Sequence, residues 1–125
     1  MMTGRLDGGW MTGGSMRLVA STNHAAAGTV SFRVTNVGSL VHELVVLPLA
    51  AGQSVGDRVV STTGRVDETG ALGEASTSCA GGPGTGLDPG TIGWVTVQLA
   101  PGNYELVCNL PGHYGDGMYA ELTVS

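Results

Sequence analysis

Residues 104–119 read YELVCNLPGHYGDGMY. Cys108, His113 and Met118 stand five residues apart within this stretch. Tyr104, Leu106 and Cys108 alternate with Glu105 and Val107, the period-two pattern of a strand with one face buried. Pro111 and Gly112 then fit a tight, stiff loop, Pro by fixing φ and Gly by allowing unusual dihedrals. A second strand, Tyr119 to Val124, turns Ala120, Leu122 and Val124 inward. The stretch reads as strand, loop, strand.

Working outward, similar strands recur. Met16, Leu18 and Ala20 alternate with Arg17 and Val19, and Val30, Phe32 and Val34 alternate with Ser31, Arg33 and Thr35. Leu40 to Leu47 is nearly all apolar, which suits a strand covered on both faces and ended by Pro48. Thr91 to Leu99 alternates, and Pro101-Gly102-Asn103 is a tight turn. Ala50 to Gly90 is a long Gly-, Ser- and Thr-rich excursion of the kind that is often functional, with one short patch, Asp57 to Ser61, that fits a strand or a helical turn. Neither an internal repeat nor an amphipathic helix stands out. The expectation is an all-β, antiparallel two-sheet sandwich. It forms one domain over residues 16–125 with a long loop at about 50–90, preceded by a loose lead-in over 1–15 that holds at most a short edge strand.

Composition narrows the function. The chain has 125 residues, enough for one core. Five Arg, no Lys and ten acidic residues give a net charge of -5, which disfavours nucleic acid and anionic membrane surfaces. No apolar run approaches a membrane span. Residues 1–15 lack the apolar segment of a signal peptide, so the chain is either cytoplasmic or a mature form whose export segment has been removed.

A thiolate, an imidazole and a thioether are soft to borderline ligands, and together they suit copper. Two His, one Cys and a weak, long axial Met make an electron-transfer copper site. The 104–119 stretch supplies one His, so a second must come from elsewhere. His42, in LVHELVVL, sits on the most buried-looking strand, where an unsatisfied polar group costs about 1–3 kcal/mol. His24 falls at a turn where water can satisfy it, so His42 is preferred.

The set His42…Cys108-x4-His113-x4-Met118 resembles the cupredoxin, or blue copper, family. The wording CNLPGH…GM is closest to its sulfocyanin, rusticyanin and auracyanin branch. The resemblance covers about Met16 to Ser125, and only the last third is specific. It implies a Greek-key sandwich holding one Cu(I)/Cu(II) ion near one end. His42, Cys108 and His113 are the implied strong ligands, Met118 the weak one, and the Val41 carbonyl a distant axial neighbour. It also implies a monomeric electron carrier, not an enzyme, exported to the periplasm or cell surface. Redox proteins would dock on an apolar rim of Leu110, Pro111, Gly112 and Tyr114 around His113. One departure is Glu43, where plastocyanin and azurin carry an Asn that ties two ligand loops. Glu43 either accepts backbone N–H bonds there or points to solvent. Asn109 is a candidate donor towards the Cys108 sulfur or the opposing loop.

Other readings compete. Cys108 pairs with Cys79 if the even cysteine count means a disulfide. Met118 alone would be ordinary core filling. Trp94 and Phe32 read as core, and Tyr114 and Tyr119 as packing against the loop. Asp67, Glu68 and Glu74 read as a solvated acidic stretch. A copper storage or delivery protein is one functional alternative. A copper domain cut from a larger oxidase or nitrite reductase is a second, although Val107 and Asn109 flank Cys108 where multicopper oxidases carry His. A metal-free adhesion sandwich is a third.

Overall fold

The computed structural model describes residues 6–12, 17–19, 22–76 and 86–125. Met16, Ala20 and Cys79 lie outside the described residues. Among the described residues nine strands follow in order: β1 (Leu6–Thr12), β2 (Arg17–Val19), β3 (His24–Ala25), β4 (Gly28–Asn36), β5 (Val45–Pro48), β6 (Gly73–Glu74), β7 (Ile92–Leu99), β8 (Gly102–Val107) and β9 (Tyr119–Val124). They form two sheets, β2-β1-β4-β7 and β3-β9-β8-β5-β6. The chain passes between the sheets at β2–β3, β3–β4, β4–β5, β6–β7 and β7–β8, so sequential strands often face rather than pair. Most pairings are antiparallel, while β1 with β4 and β3 with β9 run parallel.

Alternation builds the core. On β4, Val30, Phe32 and Val34 are buried between the sheets, and Val97 and Leu99 of β7 meet them there. The second sheet contributes Val46, Leu106, Leu122 and Val124 to the same cluster. Burying each such side chain stabilises by about 1.5–3 kcal/mol. The second sheet is also covered on its outer face, where Val45, Leu47 and Val107 pack with Val66 and Tyr114. This two-sided burial accounts for the unbroken apolar run at 44–47.

Four expectations need correction. Leu6–Thr12 is no loose lead-in or edge: β1 lies inside its sheet, between β2 and β4. Gly8-Gly9 removes the alternation that would have shown it, and the β1–β4 register shifts between Asp7 and Gly9. The strand expected from Leu40 begins only at Val45, and Leu40 and Val41 are exposed. Asp57–Ser61 forms neither strand nor helical turn. Trp94 is 52% exposed, because its place opposite Arg33 in the β4–β7 register turns it to the outer face.

Candidate metal centre

β8 delivers Cys108 to one end of the sandwich, and the 109–118 loop brings His113 back towards it. Backbone hydrogen bonds brace the loop, among them His113 N–H to Leu110 O (3.0 Å), Met118 N–H to His113 O (3.1 Å) and Cys108 N–H to Met118 O (3.0 Å). His42 arrives on a separate segment that is pinned by reciprocal hydrogen bonds with Leu87, of 3.1 and 2.7 Å. Asn36 secures this junction, donating from Nδ2 to both Leu40 O and Leu87 O.

The side chains converge. Cys108 Sγ lies 3.3 Å from His113 Nδ1 and 3.8 Å from His42 Nδ1, and the two Nδ1 atoms are 3.1 Å apart. An ion bound about 2.0–2.3 Å from each donor fits triangles of this size. Among the described residues these three form the single His, Cys, Asp and Glu cluster with metal-holding spacing. His42 and Cys108 are fully buried, while His113 is half-buried. Met118 is fully buried in the cluster that contains Cys108, and the hydrogen bonds above tie its backbone to both loop ligands.

The electrostatics suit a cation. Burial lowers both imidazoles from their ordinary value; His113 further lowers His42, and Asp116 partly offsets the effect at His113. Burial pushes the Cys108 thiol up to about 11, against the pull of the Glu43 and Leu110 N–H groups. At neutral pH the metal-free donor set is therefore two neutral imidazoles and a thiol. The Glu43 N–H donates to Cys108 Sγ at 3.2 Å, ready to stabilise a thiolate.

The site's surroundings decide between the alternatives left open at Glu43 and Asn109 and depart from the expectation at Glu68 and Tyr114. Glu43 does not meet solvent: it is 1% exposed, its carboxyl oxygens make no well-formed hydrogen bond, and the Asn109 backbone N–H acts on them only weakly. Burial, then Glu74 and Glu68, push its carboxyl up to about 7, and Arg65 and the nearby Asn109 backbone only moderate this. Asn109 reaches the opposing loop and not the sulfur. It accepts from Val66 N–H at 2.8 Å and donates to Val66 O and Glu68 Oε2 at 3.0 and 2.7 Å. Glu68 is thus no freely solvated loop residue. Tyr114, placed above on the docking rim, is 2% exposed and cannot contact a partner. Pro111 and Gly112 are exposed and Leu110 is half-buried against the core.

Val41 sits exposed just before His42. His24 is far from the cluster in role and place, an exposed residue bonded to Ser125 Oγ at 2.8 Å. Cys108 is a free thiol.

The long excursion supports the site. Gly64 O accepts from Gly112 N–H at 2.9 Å. Gly64 has φ +80°, and a Cβ there would stand 2.8 Å from Gly112 N, so only glycine permits this approach. Sequence reasoning missed this support, and it missed Arg58, which pairs with the fully buried Glu105 at 2.6 Å. The one available signal was a charged residue, Glu105, alternating within an otherwise apolar strand.

Residues 9–125 match the sulfocyanin (SoxE) domain. No curated protein sequence matches. Among solved structures, the chain is similar to auracyanin A, a "blue" copper protein of Chloroflexus aurantiacus, at 17% identity and TM-score 0.62, over 99% of this chain and 98% of that one. It is also similar to dithionite-reduced auracyanin of Roseiflexus castenholzii, at 19% identity and TM-score 0.59, over 97% and 94%. Rusticyanin of Thiobacillus ferrooxidans aligns at 15% identity and TM-score 0.51, over 89% and 83%. At such identities these likenesses speak for the fold, a cupredoxin-like β-sandwich.

Proposed function

The chain belongs to the sulfocyanin (SoxE) domain family of blue copper cupredoxins, and from that premise we propose that it carries single electrons between redox partners and turns over no substrate. The observation that carries this reading is the convergence of Cys108 Sγ and the Nδ1 atoms of His42 and His113 at one buried point. In this reading His42, Cys108 and His113 would hold the copper as strong ligands, with Met118 as a weak fourth. Copper supplies the Cu(I)/Cu(II) couple.

The chain's own residues do the rest. Two neutral imidazoles and a thiolate supply one negative charge. The Glu43 N–H withdraws some of that charge from the sulfur and so tunes its donation. Hydrogen bonds with Leu87, Val66 and Gly64 hold the ligand segments in place, which limits their movement when the metal's charge changes. Burial of His42 and Cys108 excludes water from their side.

His113 is the ligand with an accessible edge, so the electron passes there. The docking surface in this reading is Leu110, Pro111 and Gly112, joined by the exposed Leu40 and Val41 on the segment leading into His42. Contact is brief and the carrier works as a monomer. By family analogy it works outside the cytoplasm. The functional unit is one domain that includes β1.

Copper titration with voltammetry tests the proposal. One copper per chain and a reversible one-electron wave support it. Two or more tightly bound Cu(I) ions with no reversible wave would favour storage instead.

A further inference from the structure

The outer face of the second sheet carries a polar cluster that the metal centre does not use directly. Glu105, on β8 three residues before Cys108, is fully buried. Its Oε2 accepts from Tyr114 O–H and from Gly56 N–H, both at 2.8 Å, and its Oε1 accepts from Arg58 Nε at 2.6 Å. The Arg58 N–H donates to the Tyr114 hydroxyl oxygen at 3.2 Å, and the Arg58 guanidinium also reaches Pro48 O. Every oxygen here is satisfied, so a buried charge becomes a fixed point instead of a liability.

Tyr114 is the residue after His113. Its ring packs with Val45, Leu47, Val66 and Val107, and lies 5.1 Å from the ring of Tyr119. Its carbonyl accepts from Gly117 N–H at 3.0 Å, closing the turn that leads to Met118. The ring is stiff, its far end both donates and accepts, and its near end is bonded to the segment that carries His113.

We infer that Tyr114, anchored through its hydroxyl to Glu105 and Arg58, is a positioning residue that sets where His113 stands relative to Cys108. The inference rests on the proposed copper reading. It assigns to the 56–58 part of the excursion a role that filling a core does not require. A ring held only by packing can rock, and each change in its tilt is passed through one peptide bond to the His113 backbone. The hydroxyl's hydrogen bonds remove that freedom.

Tyr104 provides a matched control. It lies on β8 next to Glu105, is also a buried tyrosine, and donates its O–H to Ala100 O at 2.7 Å, with no tie to the 109–118 loop. Tyr114→Phe and Tyr104→Phe each delete one hydroxyl and keep the ring. Both variants and the wild type are loaded with Cu(II), and affinity, the ratio of visible bands and the reduction potential are measured. Amide exchange over residues 112–118 is followed in the metal-free chains.

The expected result is that Tyr114→Phe weakens Cu(II) affinity by about 10-fold, shifts the band ratio and potential, and speeds exchange at Gly117. Tyr104→Phe lowers the melting temperature and leaves those four readouts at the wild-type values. A Tyr114→Phe variant that also loses only thermal stability, with wild-type spectrum, affinity and loop exchange, overturns the inference and leaves the copper reading standing. A wild-type chain with no thiolate-to-copper band overturns both.

Discussion

The backbone N–H of Glu43 points at Cys108 Sγ from 3.2 Å. That hydrogen bond joins the segment that carries His42 to the strand that carries Cys108, across 65 residues of sequence. The same residue buries an unpartnered carboxyl. Glu43 therefore serves the site through its main chain while its side chain costs stability, and the two effects separate by mutation.

Glu43→Gln is expected to stabilise the metal-free chain at pH 8. The carboxyl is held at about 7 in the folded chain against an ordinary 4.5, chiefly by burial. The folded state thus binds more protons than the unfolded state between those values, and stability falls as pH rises through this window. Below pH 4.5 both states hold the proton and the penalty vanishes; above 7 it is complete, at most about 3 kcal/mol. Urea denaturation of both proteins from pH 4 to pH 8 checks this. A pH-independent difference would contradict it.

Copper binding at pH 7.5 is expected to release about one proton. The thiol, raised to about 11 by burial, must lose its proton, while the lowered imidazoles are already neutral. Calorimetry in buffers of different ionisation enthalpy counts the proton directly. Affinity should then rise about tenfold per pH unit from neutral pH towards 9.

Met118→Leu is expected to retain copper and raise the reduction potential. A weak thioether donor favours Cu(II), and an aliphatic side chain in the same buried place does not. Voltammetry of the two proteins reads the sign. An unchanged or lower potential would argue against axial coordination by Met118.

Gly64→Ala is expected to destabilise the fold by about 2 kcal/mol or more. The left-handed conformation alone costs about 1–2 kcal/mol with a Cβ present, and this Cβ would press on the backbone at Gly112. Because Gly112 belongs to the loop that carries His113, the copper spectrum should shift as well. A wild-type melting temperature would show that the excursion yields freely.

Much of this site could be read in the chain. Cys108, His113 and Met118 were legible because a short loop forces neighbours in sequence to be neighbours in space. His42 was legible because an imidazole amid Val and Leu demands a partner. The strands β4, β7, β8 and β9 announced themselves through alternation. What stayed hidden depends on distant contacts. β1 carries no alternation across Gly8-Gly9, and its place comes from pairing with β4. Tyr114 looked like a loop residue, and its burial depends on Val66 and Arg58 folding over it. No local pattern distinguishes a Glu43 that is solvated from one that is sealed in.

The visible absorption spectrum of the Cu(II)-loaded chain tests the central claim most directly. An intense thiolate-to-copper charge-transfer band should appear, disappear in Cys108→Ser and persist in Cys79→Ser. A loaded, oxidised protein that is colourless, or a band that survives loss of the Cys108 sulfur, would contradict the account.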